Sequence, residues 1–236
     1  YAAVDLGTHN CRLLVVRPTG RAFRVVDAFS RTVRLGESVE RDGELCQAAM
    51  DRTVEALKIC AWKIKRHKTD KVRCVATEAC RQAANRPLFE KRVESELGLT
   101  IETISCEEEA RLALQGCAPL IDQSRSHGLM FDIGGGSTQI LWLDLNGMDS
   151  PVLDWISVPL GVATLRDQFR DVQDDPARYA LMSCYFEEKL ADFAPYDFAP
   201  LKNAEERQAF QIIGTSGTVT TVASSHLGLK RYDRTK

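Results

Sequence analysis

The chain's 236 residues are 44% hydrophobic and 27% charged, with a formal net charge of -2, a balance that suits one large or two medium globular domains. The near-neutral charge excludes a basic nucleic-acid-binding surface and a charged disordered tail. No apolar run approaches the roughly 18 residues of a membrane span, and no basic segment with an apolar core opens the chain, so no membrane partner is expected and the cytoplasm is the expected location. In chain order, Tyr1 to Leu6, Cys11 to Arg17 and Phe23 to Ser30 are β-rich runs separated by glycine-containing turns, which predicts a three-stranded antiparallel meander. From Cys46 to His67 the apolar residues Ala49, Met50, Val54, Leu57, Ala61 and Ile64 recur at helical spacing. Val72 to Ala76 is a short buried strand, after which Thr77 can cap a helix starting at Glu78; Pro87 opens another helix that Gly98 closes. A strand at Thr100 to Ser105 and a helix from Glu107 to about Leu120 complete a β-β-β-α-β-α-β-α order.

The pattern then starts again. Strands at Leu129 to Ile133, Thr138 to Leu145 and Val152 to Val158 repeat the meander, helices follow at Thr164 to Arg170 and Ala177 to Phe193, and Gln211 to Ile213 is the next strand. This is the element order of ribonuclease-H-like lobes, so the reading is an α/β chain of two such domains, 1–122 and 123–236, with the second truncated and the ligand expected in an interdomain cleft. Eight cysteines (Cys11, Cys46, Cys60, Cys74, Cys80, Cys106, Cys117, Cys184) are scattered singly with no C-x-x-C pair, which predicts small buried hydrophobes rather than a zinc or redox site.

Each lobe opens on the same device. Val4-Asp5-Leu6-Gly7-Thr8 and Phe131-Asp132-Ile133-Gly134-Gly135 each place one Asp in an apolar strand that runs into a small-residue hairpin tip. Such a tip lets backbone N–H groups approach an anion, and the neighbouring Asp can hold the divalent cation that accompanies phosphate; a plain tight hairpin with a tolerated Asp would look the same in one copy, less so in two.

Three further segments bear chemistry. In Ser105-Cys106-Glu107-Glu108-Glu109, Ser105 and Glu108 fit a capping box and Glu107 suits the positive helix end, whereas Glu109 heads the inward face and is a candidate general base; three solvated acids are the alternative. Arg81, early in the helix after Val72 to Ala76, can lean over the strand ends and offer its planar fork to phosphate, or be an ordinary surface arginine. Gly214 to Ala223 reads as a strand, a Gly/Ser turn and a helix start, a second phosphate cradle or a bland turn; without Gly-Lys-Ser/Thr it is no P-loop.

Asp5 to Leu13, Ala76 to Asn85, Ile104 to Arg111, Asp132 to Thr138 and Gly214 to Ala223 together resemble, in order and spacing, the exopolyphosphatase/guanosine pentaphosphate phosphohydrolase family. The resemblance covers nearly the whole chain and implies an actin-like, sugar-kinase-like two-domain fold and a hydrolase dependent on Mg²⁺ or another divalent cation. Its substrate would be inorganic polyphosphate or guanosine pentaphosphate (pppGpp), and a homodimer is compatible with it. It makes Glu109 the water-activating base and Asp132, with Asp5 and Gln139, the metal-associated set. Phosphate would fall to Gly7, Thr8, Arg12, Arg81, Gly134, Gly135, Gly136, Ser137, Thr138, Ser216, Gly217 and Thr218. Three positions depart from the family pattern: Gln139 stands where Glu is usual, His9 for Asn and Ser216 for Gly. An amide brings no charge to a cation and cannot be a base, so a catalytically impaired polyphosphate- or alarmone-binding regulator is an alternative, as is a small-molecule kinase of the actin superfamily.

Overall fold

Alternation builds the first sheet. In β1 (Ala2–Leu6), Ala2, Val4 and Leu6 are buried while Ala3 and Asp5 face outward. A computed structural model describes residues 1–20, 22–146, 152–193 and 209–229, and the chain divides into two units, Tyr1–Ser105 and Cys106–Lys236. In the first, β1 pairs antiparallel with β2 (Asn10–Thr19), which pairs antiparallel with β3 (Ala22–Thr32). On its other side β1 runs parallel to β4 (Val72–Ala76), itself parallel to β5 (Ile101–Thr103), giving the order β3-β2-β1-β4-β5. Parallel neighbours need a crossover, and the long helix α2 (Gln47–Arg66), preceded by α1 (Val39–Asp42), supplies it. Its stripe of Met50, Val54, Leu57 and Cys60 packs with Val4, Leu6, Cys11 and Leu13 in one core, joined by Phe89 of α4 (Arg86–Leu97).

Two local signals have different outcomes. Gly98 ends α4 in the left-handed region at φ 66° as the sequence predicts. Thr77 does precede α3 (Glu78–Gln82), but its side chain makes no capping bond.

The second unit repeats the first four positions of that order. After α5 (Cys106–Cys117) come β6 (His127–Ile133), β7 (Thr138–Asp144), β8 (Val152–Val158), α6 (Val162–Gln168), α7 (Asp175–Lys189), β9 (Phe210–Thr215) and α8 (Ser216–His226). The described strands are ordered β8-β7-β6-β9, with β6 antiparallel to β7 and parallel to β9. The central strand β7 is buried on both faces. One face gathers Ile140, Trp142 and Phe193, and the other gathers Met130, Leu141, Leu143 and Ile213 under α5.

The division at Ser105 differs from the boundary expected near residue 122. The reason is α5: its residues Ala110, Ala113, Leu114 and Cys117 pack on the second sheet, so the helix that follows the first sheet's last strand joins the second unit's core. Five of the eight cysteines are buried, in keeping with the small buried hydrophobes that their single, scattered placement predicts.

Candidate active site

The two hairpin tips are built alike. Gly7 N–H donates to the Asn10 carbonyl at 2.9 Å, and Gly134 N–H donates to the Ser137 carbonyl at 2.9 Å. Each glycine thus stands two residues after its Asp and closes the same four-residue turn, so these two amides hold the tip rather than an anion. Each tip is also braced by the segment that follows the third strand. Gly36 N–H donates to the Thr8 carbonyl at 3.1 Å in the first unit, and Val162 and Ala163 N–H donate to Gly134 and Gly135 carbonyls at 3.1 and 2.9 Å in the second.

The braces are a second repeat that sequence reasoning missed. Val33-Arg34-Leu35-Gly36 and Val158-Pro159-Leu160-Gly161 share a V-x-L-G pattern, with both Val and both Leu buried. The glycines are required by close approach: a Cβ on Gly36 would lie 2.5 Å from Thr8 Cγ2, and one on Gly161 would lie 2.4 Å from the Gly135 carbonyl carbon. The spacing of this tetrapeptide from each Asp was the available signal.

In the second unit the strand register lays a row of side chains across one face. Asp132 lies opposite Gln139 and beside Thr215, and Gln139 lies opposite Ser157. Directly paired residues project to the same side. Gln139 is 2% exposed, and its amide donates to Ser137 Oγ at 3.0 Å and to Ser157 Oγ at 3.4 Å. Thr138, expected to bind phosphate, donates its hydroxyl to the Leu160 carbonyl at 2.7 Å and so ties β7 to the brace.

The end of α5 meets this row. Burial pushes the Cys117 thiol above its ordinary value, hydrogen bonding with Thr215 opposes the shift, and the nearby Asp132 charge adds to it. Glu109 lies in the first turn of the same helix, half-buried, in register with Ala113 and Cys117 at four-residue steps. Glu108 is a different kind of residue: its carboxylate takes Arg111 Nε at 2.6 Å and Nη2 at 2.8 Å. At the other edge of the row, Thr218 Oγ1 at the start of α8 donates to the Ile133 carbonyl at 3.0 Å, which holds Ser216 and Gly217 near the end of β6. Ser216 adopts φ 79°, a left-handed conformation that favours glycine.

The first unit brings together Asp5, Gly7, Thr8 and Arg12. Asp5 lies opposite Arg12 on the open side of β1. The surrounding protein pushes the Asp5 carboxyl above its ordinary value even with that solvent access, and Arg12 pulls it down less strongly. Arg81 sits past the end of β4, where its guanidinium is engaged by Glu78 and by the Ile104 carbonyl.

Both units thus carry an Asp-plus-hairpin device on sheets that share one strand order, β3-β2-β1-β4 and β8-β7-β6-β9. The model of the Ppx/GppA phosphatase family matches residues 14–234. The chain belongs to this family. Solved relatives agree: an exopolyphosphatase-like protein is 30% identical with a TM-score of 0.82, over 98% of this chain and 69% of that one. The Aquifex aeolicus member of the Ppx/GppA family is 28% identical with a TM-score of 0.74, over 99% of this chain and 71% of that one. An exopolyphosphatase from Cytophaga hutchinsonii is 25% identical with a TM-score of 0.82, over 98% and 72% of the two chains. This Ppx/GppA chain is accordingly a mixed α/β protein with one sheet in each of its two units. Among the described residues no helix is long and apolar enough to cross a membrane, and no group of three or more His, Cys, Asp or Glu side chains is placed to hold a metal ion.

Proposed function

We propose that this Ppx/GppA phosphatase releases the terminal phosphate of inorganic polyphosphate or of pppGpp in the cytoplasm. The observation that carries the reading is the packing of α5 on the sheet face that bears Asp132, which puts the candidate base Glu109 and the candidate metal carboxylate in one unit. In this reading Glu109 accepts a proton from the attacking water, and its half-buried position in an otherwise apolar helix row favours that role. Terminal phosphoanhydride cleavage otherwise asks for in-line positioning and neutralised charge on the transferred group. In the first unit Thr8 with the guanidinium groups of Arg12 and Arg81, and in the second unit Gly135 to Ser137 and the Ser216–Thr218 turn, are the groups proposed to hold phosphate oxygens.

The donor set suits Mg²⁺ shared with substrate. Magnesium keeps several waters and needs only one or two protein carboxylates beside phosphate oxygens, a requirement that Asp132 with substrate phosphates would meet. When bound, Mg²⁺ supplies charge neutralisation on the phosphoryl oxygens, and Asp132 would hold it, with Asp5 the corresponding carboxylate of the first unit. The Gln139 nitrogen donates to two serine hydroxyls, so any contact with the cation would come from its carbonyl oxygen, which brings no charge.

That same amide supports a second reading, a polyphosphate- or alarmone-binding protein without turnover. Phosphate release from long-chain polyphosphate and from pppGpp, each with Mg²⁺ and with chelator, separates the two. Mg²⁺-dependent release supports the hydrolase, whereas binding without release at any Mg²⁺ level supports the regulator.

A further inference from the structure

Glu78 and Arg81 stand one turn apart on α3, and their side chains meet in a nearly closed setting, with 11% of Glu78 and 15% of Arg81 exposed. Arg81 donates from Nε at 3.0 Å and from Nη2 at 2.6 Å to one oxygen, Oε2. Its Nη1 donates to the Ile104 carbonyl at 3.0 Å. The other carboxylate oxygen, Oε1, takes the amide of Gln82. Donors therefore run in sequence from Gln82 to Glu78 and from Arg81 to both Glu78 and Ile104.

A closed ion pair of this kind is weak evidence of stabilisation. Removing two charges from water costs several kcal/mol per ion in typical proteins, and apolar replacements of the same volume are often as stable. What the pair supplies is orientation: a guanidinium engaged through all three nitrogens is fixed in its plane and in its place. That place is the C-terminal end of β4, where ligands of open α/β sheets collect. It adjoins the Gly7 hairpin, because Thr77 N–H donates to the Leu6 carbonyl at 3.2 Å.

We propose that Glu78 is a positioning residue for phosphate recognition. It holds Arg81 in the orientation from which the guanidinium meets a phosphate oxygen, and Gln82 orients Glu78 in turn. Glu78 itself touches no substrate. The inference rests on the phosphohydrolase reading above and adds to it the residue that sets the arginine.

The test measures steady-state phosphate release and, in parallel, calorimetric binding of long-chain polyphosphate and of pppGpp. The proteins compared are wild type, Glu78→Gln, Gln82→Ala, Arg81→Ala and the Glu78→Gln/Arg81→Ala double variant. Glu78→Gln should raise KM and Kd roughly tenfold while kcat stays within about threefold, because a charged donor displaced by a fraction of an ångström loses much of its value. Gln82→Ala, the milder change that serves where Glu78→Gln does not fold, should move both constants in the same direction by roughly two- to threefold. Adding Glu78→Gln to Arg81→Ala should change nothing further, since Glu78 acts through Arg81 alone. Unchanged constants in Glu78→Gln and Gln82→Ala, tighter binding by Glu78→Gln, or additive effects in the double variant would overturn the proposal. A wild type that binds but releases no phosphate would overturn the hydrolase reading alone, with the Kd series still deciding Glu78. A wild type that does neither overturns both.

Discussion

Ser216 and Gln139, two residues at which the family resemblance implies a different side chain, each have a physical consequence. Ser216 holds φ 79° at the start of α8, a conformation that costs a residue with a Cβ roughly 1–2 kcal/mol. Relief of that strain outweighs the extra unfolded-chain entropy of glycine, so Ser216→Gly should stabilise the protein by about 0.5–1 kcal/mol. Thermal unfolding reads this as an upward shift of the midpoint; a fall would mean that the serine side chain has a compensating contact. Gln139 departs in the opposite sense, since an amide replaces an acid in a closed position opposite Asp132. Gln139→Glu would place two carboxylates side by side, and an uncompensated buried charge costs about 2 kcal/mol or more. The variant should therefore melt lower than wild type in chelator and recover with Mg²⁺. A midpoint that ignores both the substitution and the metal would show that residue 139 does not sense Asp132.

Elements are held by contacts that local sequence does not announce. Asp27 on β3 receives Lys63 Nζ of α2 at 2.8 Å and approaches Nε2 of His67, the residue just past that helix, at 2.9 Å, so one carboxylate fastens the edge strand to the end of the crossover helix. Chiefly through the Lys63 hydrogen bond, and then through His67, its carboxyl is held at about 2 against an ordinary 3.8. A depressed folded-state value means that the stabilisation is fully present above pH 4 and is lost as the pH falls through about 2. The pair keeps partial solvent contact and is screened, so the amplitude should be about 1 kcal/mol. Asp27→Asn should flatten the stability profile between pH 4 and 2, and an unchanged slope there would assign the acid sensitivity elsewhere. The braces behind the hairpin tips make a paired prediction. In Gly161→Ala the new methyl meets backbone, while in Gly36→Ala it meets side-chain carbons of Thr8 and Ala79, which can give way more readily than backbone. The first should cost about 3 kcal/mol and the second nearer 1, measured by denaturant unfolding. Equal costs would mean that the two braces yield alike.

At the scale of the whole molecule, duplication was legible because its signal is local and doubled. A lone Asp before a glycine turn, met twice in meanders of the same order, predicted both sheets and both tips. The unit to which α5 belongs was not legible. Its apolar row shows that the helix packs on something, but the row cannot say which sheet, and residues 106–117 went to the second. The Ser157 partner of Gln139 was likewise out of reach, since it depends on the register between β7 and β8. The Glu78–Arg81 pair was within reach, because an acid and an arginine three apart on a helix are neighbours; only their burial needed the fold. The central claim, that Glu109 activates water for phosphoanhydride hydrolysis, is tested most directly by single-turnover phosphate release from polyphosphate and pppGpp with Mg²⁺, comparing wild type with Glu109→Gln. Loss of a positioned general base should slow the chemical step by about 10²- to 10⁴-fold with substrate binding retained. Release at the wild-type rate by the Gln variant would contradict the account.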